Sequence, residues 1–499
     1  MKGSASIPGL VGSRVLAAAR VWLMVCLLAV SADPAAGEGI HAIQLTGRDK
    51  GVVGEIPFQS HNQKVVSNAK GIFITHGRRK NRIGLQLQRS TDGGRTFKTV
   101  YQDKLAVAPP TIETDRDNNI YLIYPETGQR RTRFLKFSAH SGYTRPVVSR
   151  SYNGVYSAAK FASVCDPRGR LYHATQWGHL LVIDTSGKLL ADRHVFKGGG
   201  GAGPSYPHLF LDRSGVLHFA MTTADAEDKI PYESIRYLKS PDTGKTWYAM
   251  DGKRVSTPTT CAADGPSTMI NLPDELKHAT WLANMHVKNG KVHFMYLARI
   301  PGKERQHYMR FDGRTGTREI DSWSTWNNRF GGKKLKIHSI CGMFASDPAR
   351  RWGPLFAVGA NGRKLAALVS TDNGSTWREH AESRDVGKVW AEGGARAVTR
   401  DGQVIGTLAT AKPQWATTQF FRFPVRPPPK KPSLGSGRPK PTGKSSTRSL
   451  SPDLQLTLAK LLLAKKQKHK AIAVLESIVK DHPKSKAAEA ARKLLDRER

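Results

Sequence analysis

Ser240-Pro241-Asp242-Thr243-Gly244-Lys245-Thr246-Trp247 has two counterparts in the chain, Ser90-Thr91-Asp92-Gly93-Gly94-Arg95-Thr96-Phe97 and Ser370-Thr371-Asp372-Asn373-Gly374-Ser375-Thr376-Trp377. All three fit Ser-x-Asp-x-Gly-x-Thr-aromatic. The Asp carboxylate can accept hydrogen bonds from the backbone N–H groups of a tight turn, and Gly supplies a positive φ. The closing aromatic returns the chain to a packed layer. An alternating run such as Ile83-Gly84-Leu85-Gln86-Leu87-Gln88 precedes the octapeptide, which places it at a hairpin between two strands. One copy would be a weak signal, and three copies of five fixed positions form a repeat.

A second, looser repeat fills the intervals. A Gly or Asn turn leads into an apolar or aromatic strand at Gly71-Ile72-Phe73, Asn119-Ile120-Tyr121, Gly169-Arg170-Leu171, Gly215-Val216-Leu217, Gly290-Lys291-Val292, Gly353-Pro354-Leu355 and Gly402-Gln403-Val404. Seven anchors at intervals of roughly 40 to 75 residues predict four-stranded blades around an axis. The fold expected is all-β, a seven-bladed β-propeller with six blades as the alternative, followed by a small C-terminal α-helical hairpin. A strand near His41 to Leu45 is expected to pair with the one ending near Val425, closing the ring and removing exposed edges.

The octapeptides resemble the Asp-box, or BNR, repeat of sialidase-like propellers. In that family the box lies at the blade periphery, so the resemblance implies a structural role for Asp92, Asp242 and Asp372 rather than a catalytic one.

The rest of the chain divides by composition. Lys2, Arg14 and Arg20, the apolar run Val21 to Val30, and Val30-Ser31-Ala32 read as a signal peptide over residues 1–32. The protein is therefore expected to be exported to the periplasm, cell surface or medium. The propeller is expected over 38–425. Residues 426–451, rich in Pro, Lys, Ser and Gly, read as a basic linker. Residues 452–499 show apolar helical faces at Leu454, Leu456, Leu458, Leu461 and Leu462 and again at Ala471, Ile472, Val474, Leu475 and Ile478. Pro483 ends the second helix, and Ala487, Ala488, Ala491, Leu494 and Leu495 suggest a third. The spacing resembles a tetratricopeptide helix pair, which implies a protein partner or self-association.

With 78 Lys and Arg against 40 Asp and Glu, the chain carries a formal net charge of +38. Such a surface attracts polyanions. Acidic polysaccharide or glycan is the expected partner rather than nucleic acid, with no membrane span. Cys165, Cys261 and Cys341 follow the leader without CxxC spacing, so no structural zinc is indicated and one disulfide at most is possible. No cofactor is evident. Nucleotide loops, HExxH helices and GxSxG elbows are absent from the sequence.

The sialidase family carries Arg-Ile-Pro ahead of its first Asp box, whereas here Arg299-Ile300-Pro301 follows the second, which argues against sialidase activity. Over roughly residues 60 to 420 the chain is more similar to the BNR branch that includes ulvan-type polysaccharide lyases. The similarity rests on Asn62-Gln63-Lys64, Ser205-Tyr206-Pro207-His208, Ile235-Arg236-Tyr237 and His293-Phe294-Met295-Tyr296. It implies proton exchange beside a uronate by Tyr or His, with a cation neutralising the carboxylate. Tyr206 matches the family tyrosine. The family arginine falls near Thr222 or Thr223, and its histidine pair falls near Lys160 and His179, of which only His179 matches.

Polar residues at strand starts then give the candidate site: Tyr206, His208 and His179 as acids or bases, and Lys160, Tyr232 and Arg236 as substrate-binding groups. The expected function is glycosidic cleavage of acidic glycans, lyase- or hydrolase-type, at the axial pocket. The alternative is a non-catalytic polyanion-binding propeller or an envelope scaffold with a helical interaction tail.

Overall fold

The structure is a computed structural model. It describes residues 39–44, 63–426 except 80–82, 107–109, 127–130, 155–159, 200–201, 226–233, 262–267, 276–277, 301–302, 322–341, 348–349, 351 and 411–416, and 452–498 except 465–467 and 484. The expected signal peptide, most of the expected linker, Tyr232 and Cys341 lie outside the described residues. The chain divides into two compact units, the first ending at Pro429 and the second beginning at Lys430.

The first unit is a ring of seven antiparallel sheets, blades I to VII. Their innermost strands are Val65–Asn68, Thr111–Thr114, Phe161–Cys165, Ala202–Leu211, Ala279–Lys288, Met343–Ser346 and Val389–Gly394. The second strands are Gly71–Arg79, Ile120–Pro125, Leu171–Thr175, Leu217–Asp225, Lys291–Ile300, Leu355–Asn361 and Gln403–Thr410, one for each anchor read in the sequence. A second strand is covered on both faces by neighbouring blades, so it reads as a continuous apolar run. All six residues of Ile120–Pro125 are buried. Toward the rim one face meets water and alternation returns, as in Leu189–His194.

Closure follows the expected route. His41–Gln44 forms the outermost strand of blade VII and pairs with Thr417–Pro424, His41 opposite Arg422 and Gln44 opposite Gln419. The apolar cores lie between blades. Tyr172 and Leu180 of blade III, for example, pack with Phe219 and Trp247 of blade IV.

The three octapeptides turn between the third and fourth strands of blades I, IV and VI. In the first, Asp92 Oδ1 accepts from the N–H groups of Arg95 and Thr96 at 3.0 Å each, and Oδ2 accepts from Thr96 Oγ1 at 2.6 Å. Ser90 Oγ donates to Asp92 at 2.7 Å and accepts from Gly94 N–H at 2.8 Å. Asp242 and Asp372 accept from Thr246 and Thr376 in the same way. The glycines, with φ of +86°, +91° and +86°, face the preceding blade: Gly94 meets Phe420, Gly244 meets Leu180, and Gly374 meets Tyr308 and His293. Each box both folds a corner and seats its blade on the neighbour.

The second unit contains helices α1 (Pro452–Ala464), α2 (Lys468–Asp481) and α3 (Lys486–Glu498). Ala459, Leu475, Ile478, Ala488, Ala491 and Leu495 form their shared core, so the expected hairpin is completed by the third helix. Ser485 Oγ caps α3 by accepting from Ala488 N–H at 3.1 Å. Among the described residues no helix is long and apolar enough to cross a membrane.

Candidate functional site

The innermost strands all run in one sense along the axis, so their first residues gather at one mouth of the ring and their last residues at the other. At the mouth where they begin, blades III, IV and V converge. Lys160, just before Phe161–Cys165, donates from Nζ to Ser205 Oγ at 3.2 Å and lies 4.2 Å from the ring centroid of Tyr206. Tyr206 stands at a β-bulge between Ser205 and Pro207, with a φ of +43°. A left-handed backbone is strained for an aromatic residue, and the bulge re-aims its side chain. Trp281 of blade V packs on the Tyr206 ring at 4.8 Å. Tyr206 is 4% exposed, whereas Lys160 and Trp281 are half-buried at the rim. Burial lowers the Lys160 pKa.

Four further candidates take different places. His208 lies buried two residues along the same strand. Burial, assisted by the charge of Arg396, brings its pKa down to about 3 against an opposing hydrogen bond that the ring donates to the Leu282 backbone, so its imidazole is neutral. Arg236 is buried, with Nε donating to Ser234 Oγ at 3.2 Å and Nη2 to the Cys261 carbonyl at 3.1 Å. His179 opens the third strand of blade III, its Nδ1 2.8 Å from Asp192, and stacks on His194 at 4.4 Å. Tyr232 is outside the described residues. The structure thus joins Lys160 to Tyr206 and gives Arg236 and His179 other partners. At the positions matching the lyase arginine, Thr222 Oγ1 accepts from Leu282 N–H at 3.1 Å and Thr223 Oγ1 lies 2.9 Å from Ser234 Oγ. Those hydroxyls hold strands together.

At the opposite mouth a cavity of about 350 Å³ draws lining residues from all seven blades, Gln63, Glu113, Cys165, Phe210, His286, Ser346 and Arg396 among them. Arg396 lines it, with Nη1 donating to Glu113 Oε1 and Nη2 to the Ser163 carbonyl, each at 2.7 Å. Burial raises the Glu113 pKa and the Arg396 charge opposes that rise. No motif marks either residue in the sequence.

A second buried polar cluster occupies blade V. Glu275, fully buried, lies 2.5 Å from His307 Nε2 and accepts from Tyr296 Oη at 2.8 Å, while Asp321 lies 3.6 Å from His307 Nδ1. Burial acts to lower the His307 pKa, but its two carboxylate partners outweigh it and the pKa is raised. Cys165 is a free thiol. Among the described residues no group of three or more His, Cys, Asp or Glu is placed to hold a metal ion.

Residues 98–323 match the model of a BNR repeat-containing family. No curated protein matches the sequence significantly. Among solved structures, polysaccharide lyase Uly1 superimposes with a TM-score of 0.53 at 12% identity, covering 78% of this chain and 100% of that one. A PL25 ulvan lyase superimposes with a TM-score of 0.50, also at 12% identity, covering 76% of this chain and 94% of its own. At that identity the likeness speaks for the fold. The first unit of this chain is thus a seven-bladed β-propeller with three Asp boxes on equivalent corners, and part of it is similar to a BNR repeat-containing family.

Proposed function

We propose that the propeller acts on acidic polysaccharide at the mouth where its innermost strands begin, cleaving beside a uronate carboxylate by β-elimination. The observation that carries this reading is the placement of the Lys160 ammonium over the ring of Tyr206, itself held in a strained backbone at the bulge. Lys160 would neutralise the carboxylate and so acidify the adjacent C5 proton. Tyr206, as its phenolate, would take that proton, the electron pair would form the C4–C5 double bond as the C4–O bond breaks, and the leaving glycosidic oxygen would take the proton back from the Tyr206 hydroxyl, regenerating the phenolate. Trp281 offers an aromatic flank to the sugar, and the positive excess of the chain draws the polyanion in. Two of the solved structures of similar fold are polysaccharide lyases, which supports a carbohydrate-active protein working outside the cytoplasm.

A second reading, binding without cleavage, is favoured by the burial of Tyr206 and His208 and by the use of Arg236 to hold the Cys261 carbonyl. Incubation with alginate, polygalacturonate, chondroitin sulfate and ulvan distinguishes the two. Ultraviolet absorbance from new unsaturated ends, lost in Tyr206→Phe, supports elimination; reducing ends without that absorbance indicate hydrolysis instead. Salt-sensitive binding without product supports the second reading. Neither binding nor product from any of the four would overturn both.

A further inference from the structure

We infer that the turn at the tip of blade III, centred on Trp177, is a stacking subsite for a second sugar ring of the polysaccharide, extending the mouth outward from Tyr206. The inference rests on the proposed action on acidic polysaccharide.

Trp177 lies between the second strand of blade III, ending at Thr175, and the third, beginning at His179. Thr175 pairs with Phe161, the residue after Lys160, so topology sets Trp177 at the same mouth as Lys160. Trp177 is 56% exposed. A single exposed apolar side chain is ordinary on a protein surface. This one differs in how firmly its backbone is held and in what surrounds it.

Gly178 has a φ of +78°, and a side chain there would run into the Phe196 carbonyl. Its N–H donates to the Thr175 carbonyl at 3.1 Å, and its own carbonyl accepts from Val195 N–H at 2.9 Å and Phe196 N–H at 3.2 Å. Beside it the imidazoles of His179 and His194 stack at 4.4 Å with their planes 11° apart, and Asp192 fixes His179. The His194 ring is hydrogen-bonded to the backbone of Phe196 and Trp177.

The turn therefore presents a flat apolar face beside partly exposed imidazoles, with the Lys160 ammonium on the adjoining strand. A sugar offers the matching chemistry: C–H groups on one face for the indole, hydroxyls at its edge for the imidazoles, and a carboxylate or sulfate for the cation. Because the turn is already rigid, little freedom is lost when a ring settles on it.

The test compares wild type, Trp177→Ala and Trp177→Phe by calorimetry against alginate, polygalacturonate, chondroitin sulfate and ulvan fragments graded in length, with thermal melting to confirm equal folding. The expected result is about a tenfold loss of affinity in Trp177→Ala for the longer fragments, none for disaccharides, and most of the affinity kept in Trp177→Phe. Wild type binding long fragments no more tightly than Trp177→Ala overturns the subsite and leaves the proposed function standing. Equal weakening for short and long fragments also overturns it as a separate subsite. Wild type binding no fragment of any length overturns the proposed function, and the subsite with it.

Discussion

Arg396 of blade VII reaches past its sheet neighbours and donates to Glu113 of blade II at 2.7 Å. Its second nitrogen donates to the Ser163 carbonyl of blade III, its backbone N–H to Gln63 Oε1 of blade I at 3.1 Å, and its carbonyl accepts from Ser346 N–H of blade VI at 3.1 Å. One residue thus ties five blades together across the axis. Removing one partner of a nearly buried pair leaves an uncompensated charge, so Arg396→Met should destabilise by about 3 kcal/mol. Adding Glu113→Gln should recover part of that loss. Urea unfolding of both single variants and the double variant checks this, and simple additivity would show that the pair is uncoupled.

The Asp-box glycines should be intolerant of a side chain for two separable reasons. At Gly374 the backbone is left-handed and a Cβ would collide with Tyr308 of blade V. At Gly215, with a φ of +84°, nothing lies within 4 Å of the same position. Gly215→Ala should therefore cost only the backbone penalty of about 1 kcal/mol, and Gly374→Ala clearly more. Equal shifts in thermal midpoint would refute a seating role for the box.

The box carboxylates should matter in acid. Burial acts to raise the Asp242 pKa, but hydrogen bonds from Thr246, Ser240 and Lys245 outweigh it and bring it from the ordinary 3.8 to about 2. The folded value is the lower one, so this contribution is complete above about 3.8 and fades as pH falls toward 2. Asp242→Asn should be less stable than wild type at neutral pH, and the gap should narrow over that acid interval in denaturant titrations.

His307 should act in the opposite direction. Its folded pKa is raised above the ordinary 6.5 by Asp321 and Glu275, despite burial. Its contribution is complete below 6.5 and disappears as pH rises through the folded value. His307→Gln should accordingly be destabilised most at mildly acidic pH, with the difference shrinking on the alkaline side. A constant difference from pH 5 to 9 would show that the charge on His307 is irrelevant.

The blade count was legible because each second strand is apolar along its length and enters from a tight turn. Asn118, Gly169, Gly215, Gly290 and Gly402 all have the positive φ that such turns need. A further signal lay unread. Asp115, Asp166 and Asp212 each accept backbone N–H groups two and four residues ahead, just before a second strand, and their spacing would have confirmed the register.

The candidate site was legible only in part. Tyr206 stood out through its neighbour Pro207, but its packing partner Trp281 is 75 positions away in another blade and carries no motif. Arg396 and Glu113 are 283 positions apart and meet only because the ring closes. Contacts of this kind depend on the circle, and local pattern does not encode the circle.

Because His41–Gln44 completes the sheet formed by the last three strands, the covalent gap in the ring falls inside a blade, not between two. A short loop from Pro424 back to His41 would turn that sheet into an ordinary meander and make the backbone endless. Opening such a circle at any connection between blades would move the seam to a junction without shared strands, held by side-chain packing alone. Permuted chains would then measure how much of the resistance to forced opening comes from that one interlocked sheet.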